Sequence, residues 1–263
     1  MEVFWERLYE NPGMVVSAVD IMSHLKDDYH LTFRTDEEDA VVYGQIREMR
    51  ERIHWIMKSS SRLQYDVFAY ACVRGYTHVV QMMIDYDVLL YVQNGFERAV
   101  RNDSFHVVSL LLRHPLVRPA AYENNAIRIS SYLGNVNVVR VLLGDPRVDP
   151  SEYNNYAIRY ASRNGYVDVV RVLLNDMRVY PCDNNNEAIR FSSQNGHIDV
   201  VRELLEDHRV DPTAHDNEAL CNALDNGHEE IVQLLLQSPR VSNSLTRKQM
   251  SMIRTRKRHK KHI

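Results

Sequence analysis

A period of 31 residues runs through positions 117–241 and constrains the fold of this chain more than any other feature. Four sets of positions keep the period, and each set holds a single residue type. They are Ala126, Ala157, Ala188 and Ala219; Gly134, Gly165, Gly196 and Gly227; Pro119, Pro150, Pro181 and Pro212; and Val117, Val148, Val179, Val210 and Val241. Self-similarity at a fixed period of this length is typical of stacked repeats.

Each unit has the pattern of two short helices. The first is predicted over Ala157 to Arg163 and the second over Val167 to Leu174, where apolar residues follow helical spacing. Gly165 lies between them, where the chain must reverse and positive φ is favoured. Helices this short are unstable alone, so neighbouring units must bury each other's apolar faces. The sequence therefore predicts an all-α solenoid.

The connections between the helices also recur. An Asn precedes each first helix and predicts an N-cap that accepts from the first-turn N–H groups. This column contains Asn124, Asn155, Asn186 and Asn217. The segments between units are rich in Pro, Asp and Asn, which predicts turns or hairpin loops.

The repeats resemble the ankyrin repeat, in which Gly-His is followed by a Val-Val or Ile-Val pair and then Leu-Leu. The residues that carry the resemblance are Gly196-His197, Val200-Val201, Leu204-Leu205, Gly227-His228, Ile231-Val232 and Leu235-Leu236. Two departures are visible: the family's Thr-Pro-Leu-His appears here as Tyr156-Ala157-Ile158-Arg159, and the period is shorter than the usual ~33.

The resemblance covers residues 62–241, divided as 62–92, 93–120, 121–151, 152–182, 183–213 and 214–241, which we number repeats 1 to 6. In repeat 2, Asp103 occupies the glycine position. The resemblance implies an ankyrin-type solenoid that binds a protein partner, with no catalytic activity and no cofactor. We expect a monomer.

Residues 1–61 lack the motif and are predicted to be helical, over about 3–9, 14–29 and 37–58. Ile46, Met49, Ile53 and Ile56 recur at helical spacing there. The segment is interpreted as an N-terminal cap, as degenerate repeats or as a small separate module. If it is a module, the chain is an adaptor that recruits a second component, such as a ubiquitin-ligase subunit.

Charge is distributed unevenly along the chain. Residues 246–263 hold eight Lys and Arg and no acidic residue, whereas residues 1–245 hold 24 basic and 35 acidic residues, a formal charge of −11. We expect residues 242–263 to be a disordered basic tail. Its Lys257, Arg258 and Lys260 resemble a one-part nuclear import signal; the alternative is a solubilising end or a contact to anionic surfaces.

Cysteine usage and the termini suggest a compartment. The three cysteines are odd in number and far apart, which disfavours a disulfide scaffold and favours a reducing environment. Glu2 and Glu6 lie where a signal peptide would be basic, and no run of 18 apolar residues occurs. We expect a cytoplasmic protein, or a nuclear one if the tail directs import, and in a host cell if the protein is viral.

Candidate catalytic and metal-binding residues are few. The sequence contains no Gly-rich phosphate loop, no HExxH and no CxxC. His259 and His262 could contact a metal, but two ligands on a tail make no structural site. Cys72 is expected to be a small buried apolar residue. His197 and His228 follow the turn glycine and are expected to form structural hydrogen bonds.

Arginine recurs in three columns: Arg128, Arg159 and Arg190; Arg140, Arg171 and Arg202; and Arg147, Arg178, Arg209 and Arg240. Such columns could form a basic ladder for an anionic partner. We favour salt bridges, since Asp168 and Arg171, like Asp199 and Arg202, are three apart on one helix, and aspartates flank the third column.

The partner surface is predicted on the loop tips and first-helix ends, which align on one edge and one concave face of such an array. Tyr and Arg are the common anchors of interfaces. Tyr122, Tyr132, Tyr153 and Arg163 are predicted to form the protein-binding patch. The column Ile129, Tyr160 and Phe191 is assigned instead to the core between helices.

Overall fold

The computed structural model describes Ile21 and residues 49–86 and 89–259. The chain divides into two compact units, Met1–Arg118 and Pro119–Ile263. The described residues contain helices, turns and no strand, so the loops between repeats are turns rather than β-hairpins. The fold class is all-α, as predicted.

Unit 1 contains repeats 1 and 2. Residues 49–57 are helical and bury Met49, Ile53 and Ile56, as their spacing predicted; the remaining helices predicted before residue 49 lie outside the described residues, apart from Ile21. The two repeats comprise α1 (Ser61–Arg74), α2 (Thr77–Asp85), a 3₁₀ turn (Leu89–Tyr91), α3 (Val92–Arg101) and α4 (Phe105–Leu112). Helix α1 packs on α3, and α2 on α4.

Unit 2 contains repeats 3 to 6 and two further helices. The repeats comprise α5 (Ala121–Leu133), α6 (Val136–Leu143), α7 (Glu152–Asn164), α8 (Val167–Leu174), α9 (Asp183–Gln194), α10 (Ile198–Glu206), α11 (Ala214–Asn226) and α12 (Glu229–Gln237). The first helices pack on one another in order, and so do the second helices. Helix α8 has the predicted bounds, and Val170 and Leu173 of its apolar stripe are fully buried.

The turn glycines serve two purposes. Gly165 has φ 81°, in the left-handed region that favours glycine. A Cβ at this position would also lie only 2.6 Å from Nδ1 of His197 in the next repeat. The Nε2 atoms of His197 and His228 lie 2.9 Å from the carbonyl oxygens of Arg163 and Gln194. Since a carbonyl only accepts, each Nε2 carries the proton, and the structural role predicted for this column is confirmed.

Four of the first helices begin with a left-handed turn, which the sequence did not suggest. In α7, Tyr153, Asn154 and Asn155 have φ of 55°, 54° and 56°. The N–H of Asn155 donates to the Ser151 carbonyl at 2.7 Å and closes the turn. Equivalent triplets are 122–124, 184–186 and 215–217. A left-handed conformation costs L-residues roughly 1–2 kcal/mol each, although Asn tolerates it better than most.

The Asn column closes this turn and joins successive repeats. Asn155 is buried; its Oδ1 accepts from the Tyr180 N–H at 2.8 Å, and its Nδ2 donates to Oδ2 of Asp183 at 2.6 Å. Asn124 and Asn186 bond the following loop in the same way. The predicted N-cap is wrong, because the left-handed backbone turns the side chain away from its own helix.

The third arginine column forms the expected salt bridges and also bonds the preceding repeat. Nη2 of Arg178 lies 2.6 Å from Oδ2 of Asp176, and this guanidinium lowers the pKa of the Asp176 carboxyl. Arg178 also donates to the carbonyls of Val148 and Leu143, at 2.8 and 2.9 Å. Arg209 repeats this arrangement one unit later.

In the second column Arg171 contacts both Asp168, at 2.9 Å, and Glu203, at 2.5 Å. The pair predicted between Asp199 and Arg202 is wrong: no ion pair joins these two residues, both of which lie in the part of the chain that the structure describes. Glu203 lies on the same helix as Arg202 but pairs with Arg171 of the preceding repeat.

The C-terminal segment differs from the expected disordered tail, since α13 (Pro239–Ser244) and α14 (Arg247–His259) lie within it. Thr246 and Gln249 form a capping box: the Thr246 N–H donates to Oε1 of Gln249, and the Gln249 N–H donates to Oγ1 of Thr246. The buried Gln249 side chain also donates to the Asp216 carbonyl, at 2.5 Å. The segment thus covers the end of repeat 6. Lys257 and Arg258 belong to α14, whereas Lys260 and His262 lie outside the described residues.

Candidate functional site

The four residues of the predicted patch lie at two places on the surface of unit 2. Tyr122 and Tyr153 are in the left-handed turns that begin α5 and α7, with 72% and 48% of their surface exposed. Tyr132, 42% exposed, and the exposed Arg163 lie near the opposite ends of the same helices. The right-handed part of each helix separates the two places by roughly 13 Å.

Side chains on the intervening helix surface connect the two places. The Arg128 guanidinium carbon lies 4.5 Å from the ring centroid of Tyr153 and 5.4 Å from that of Tyr156. The Tyr156 ring stacks on Tyr160, with centroids 3.9 Å apart and planes inclined by 15°. These distances are within the range of cation–π and stacking contacts.

The connection continues to the other end of the helices. The Tyr160 ring lies 6.1 Å from Tyr132, and the Arg163 guanidinium carbon lies 5.9 Å from Tyr160 and 5.1 Å from Phe191. A continuous series therefore spans the first helices of repeats 3 to 5. We call it the aromatic–arginine row, defined as Arg128, Tyr132, Tyr153, Tyr156, Tyr160, Arg163 and Phe191.

The core assignment of Ile129, Tyr160 and Phe191 is wrong, because the structure leaves all three partly exposed. The buried positions of the same helix in repeat 4 are Ala157, Ile158 and Ala161. Sequence reasoning also missed Tyr156 and Arg128 as part of the surface. A signal for Tyr156 was available: it precedes Tyr160 by four residues, and this spacing places two side chains on one face of a helix.

The first arginine column supports the left-handed turns. Arg128 donates through Nε and Nη2 to the carbonyls of Glu123 and Tyr122, at 3.0 and 3.1 Å. Arg159 makes the same two bonds to the carbonyls of Asn154 and Tyr153, at 2.8 and 3.0 Å. These charge-assisted bonds offset part of the conformational cost of the turns.

Within this column, Arg128 differs in the type of residue that its side chain contacts on the next repeat. Arg159 pairs with Glu187 at 2.5 Å, and Arg190 pairs with Glu218 at 3.3 Å, both carboxylates 28 positions further along the chain. The position equivalent to these glutamates for Arg128 is Tyr156. Arg128 therefore contacts a ring where its equivalents contact a carboxylate.

A groove of about 690 Å³ adjoins the Arg163 end of the row. Tyr132, Arg163, Gln194 and His197 are among the residues that line it. At its base the Arg163 carbonyl accepts from Nδ2 of Asn195, at 2.7 Å, as well as from His197. The groove thus follows the turn edge of repeats 3 to 6, held by hydrogen bonds between successive turns.

The described residues lack the features of two other kinds of site. They contain no group of three or more His, Cys, Asp and Glu residues able to hold a metal ion. None of the helices in these residues has the length and apolar character needed to cross a bilayer. Cys72 is fully buried, as expected, and burial raises the pKa of its thiol.

Comparison with known proteins agrees with the helix-pair architecture. Residues 96–181 and 158–246 match the family model described as ankyrin repeats in three copies, and the two matches together span more than half of the chain. The chain belongs to the ankyrin repeat family. It is similar to the X-ray structure of an ankyrin repeat family protein from Legionella pneumophila, with 16% identity, a TM-score of 0.40, and 94% of this chain and 92% of that chain covered. No curated protein matches it.

Proposed function

We propose that this chain is a non-catalytic scaffold that binds a protein partner through the aromatic–arginine row and the adjoining turns of repeats 3 to 5. Ankyrin repeats generally mediate protein–protein interactions, and the family supports a binding role for this chain. The position of the binding surface on unit 2 is our own inference.

The observation that carries the proposal is the exposure of large aromatic side chains on one helical face. Tyr132 is 42% exposed and Tyr153 48% exposed, and Tyr156, Tyr160 and Phe191 are partly exposed beside them. Rings bury a large area on binding and lose little rotamer freedom, and arginines stacked on them are held in place. Such a surface is costly to leave in water and suits a protein partner.

Affinity capture from the native cell tests the proposal. A variant with Tyr122, Tyr132, Tyr153 and Arg163 all replaced by Ala should lose the captured partner, because these anchors would no longer be present. Its melting transition should stay within a few degrees of the wild type, since exposed substitutions usually change the free energy of unfolding by no more than about 0.5 kcal/mol each.

A matched control removes exposed apolar surface elsewhere. Met177 and Tyr180, 82% and 53% exposed, lie in the loop between repeats 4 and 5. The variant Met177→Ala/Tyr180→Ala should retain the partner. If the control loses the partner and the quadruple variant retains it, binding occurs at the loops rather than at the row.

Two predictions concern segments beyond this surface and stay predictions. The adaptor role depends on residues 1–61, of which only Ile21 and residues 49–61 are described. Nuclear import through Lys257, Arg258 and Lys260 is tested by fusing residues 246–263 to a reporter.

A further inference from the structure

Arg163 has no carboxylate partner, unlike several other arginines of the described repeats. Its guanidinium contacts the rings of Tyr160 and Phe191, whereas Arg159, Arg171, Arg178, Arg190 and Arg209 each pair with an Asp or Glu. Within the described residues the Arg163 side chain makes neither an ion pair nor a hydrogen bond. It is exposed, so all of its N–H groups remain able to donate to a ligand.

The repeat pattern shows that Arg163 is a local feature rather than part of a structural column. The equivalent positions in repeats 3, 5 and 6 are Tyr132, Gln194 and Asp225, and repeat 2 has Arg101 there. The fold therefore needs no arginine at this position. The backbone carbonyl of Arg163, not its side chain, forms the hydrogen bonds to the next repeat. A side chain that the two adjacent repeats lack, and that is unpaired in its own repeat, is available for recognition.

The groove beside Arg163 has a composition that suits a peptide carrying negative charge. No Asp or Glu lines it, although the body of the chain is acidic. Tyr132 and Tyr166 supply apolar walls. The Gln194 amide has no hydrogen-bond partner among the described residues, so it can bond a peptide backbone.

A guanidinium held against rings fits a carboxylate better than any other protein group. Its planar fork donates two parallel N–H bonds to the two carboxylate oxygens, and stacking fixes its orientation in advance. Partly exposed rings on either side would cover an apolar side chain next to the acidic one.

A nucleic acid fits this surface less well. Glu123, Asp149 and Glu152 lie together at the far end of the same helices, around Tyr153. A continuous phosphate backbone that followed the row would meet these carboxylates, whereas a peptide can place its acidic side chains only at Arg163. The formal charge of −11 over residues 1–245 opposes a polyanion further.

We propose that the groove at the turn edge of repeats 3 to 6 binds an extended acidic segment of the partner protein, with Arg163 as the carboxylate anchor and Tyr132, Tyr160 and Phe191 against an adjacent apolar side chain. This assignment rests on the proposed function and names the chemistry of its partner.

Fluorescence anisotropy with synthetic peptides tests the assignment. The probe is a labelled peptide of repeated Asp-Leu-Asp-Gly units, and its control is the same peptide with each Asp replaced by Asn. The full chain should bind the acidic peptide at least about tenfold more tightly, and added salt should weaken this binding. Arg163→Gln should lower the affinity about tenfold, and Arg163→Lys by less, because Lys keeps the charge but not the fork.

Arg202→Gln is the matched control, since Arg202 is an exposed arginine of a second helix with the same charge and no ion pair in the described residues. It should leave the affinity unchanged. Equal binding of the Asp and Asn peptides, an unchanged affinity for Arg163→Gln, or tighter binding of a labelled oligouridylate would each overturn the assignment. If the acidic peptide fails but the quadruple Ala variant still loses the captured partner, only the partner chemistry is wrong and the proposed function stands.

Discussion

At the scale of single residues, the position that ends each first helix decides how tightly the next repeat can approach. The glycines there have φ of 76–81°, and the ring of Tyr166, His197 or His228 packs where a Cβ would be in repeats 3 to 5. Asp103 is the exception, with φ 57° in repeat 2, which confirms that this residue occupies the glycine position of the turn. An Asp tolerates this conformation at a cost of order 1 kcal/mol.

Asp103 and Gly165 should therefore respond oppositely to substitution. We expect Asp103→Gly to raise the free energy of unfolding by up to about 1 kcal/mol, because glycine removes the strain of positive φ. Gly165→Val should lower it by about 3 kcal/mol or more, since a β-branched residue is strained there and would collide with His197. Urea unfolding measures both. Destabilisation by Asp103→Gly would contradict the turn assignment in repeat 2.

At the scale of elements, repeats are joined by a network that links each left-handed turn to the following loop. Asn155 bonds Tyr180 and Asp183, and Arg178 reaches back to the carbonyls of the preceding repeat. In repeat 6, Nδ2 of Asn217 lies 3.4 Å from both the Ser244 carbonyl and Oε1 of Gln249. The C-terminal helices therefore provide the hydrogen-bond acceptors that a seventh repeat would provide.

Asn155 tests this network through two substitutions. Asn155→Gly keeps the positive φ but leaves the Tyr180 N–H and the Asp183 carboxylate without this partly buried hydrogen-bond partner, so we expect a loss of about 2 kcal/mol. Asn155→Ala should cost about 1 kcal/mol more, because alanine adds the strain of the left-handed conformation. The measurement is the shift of the urea midpoint at constant slope.

The neighbouring residue provides the control for backbone effects. Asn154 has φ 54° and is exposed, and its side chain makes no hydrogen bond in the described residues. Asn154→Gly should be close to neutral. If Asn155→Gly is no more destabilising than Asn154→Gly, the Asn column does not join the repeats.

The sequence and the structure agree where local pattern decides the conformation. The bounds of α8 and the positive φ of Gly165 follow from apolar spacing and from glycine itself. The left-handed turns could not be predicted, because tyrosine seldom adopts this conformation and some of the groups that bond the turn lie on the following loop. The partner of Asn155 is 25 residues away, and only the stacked structure brings the two together.

Only some residues of the candidate surface could likewise be predicted from the sequence. Tyr132, Tyr153 and Arg163 were found because they vary within otherwise regular repeats, and the structure exposes them. Tyr160 and Phe191 were assigned to the core because an apolar column on a helix usually packs inward. Which face of a short helix turns outward depends on how its neighbours stack, and this is a property of the array rather than of the column.

At the scale of the whole molecule, recognition is proposed for one surface of unit 2, and the remaining repeated residues have a structural role. Many arginine and asparagine side chains of the repeats bond other repeats or their own loops, whereas the side chains of Arg163 and of the rings around it form no such hydrogen bond in the described residues. We propose that the partner binds at this surface.

Hydroxyl-radical footprinting of the chain, alone and with its captured partner, identifies the surface that the partner covers. Tyr132, Tyr153 and Tyr160 should each become several-fold less reactive in the complex, because the partner covers the aromatic–arginine row. Met177 and Tyr180 should react equally in both states, since they lie exposed in a loop that is not part of the row. Protection of Met177 and Tyr180 with unchanged reactivity of the three row tyrosines would contradict the account.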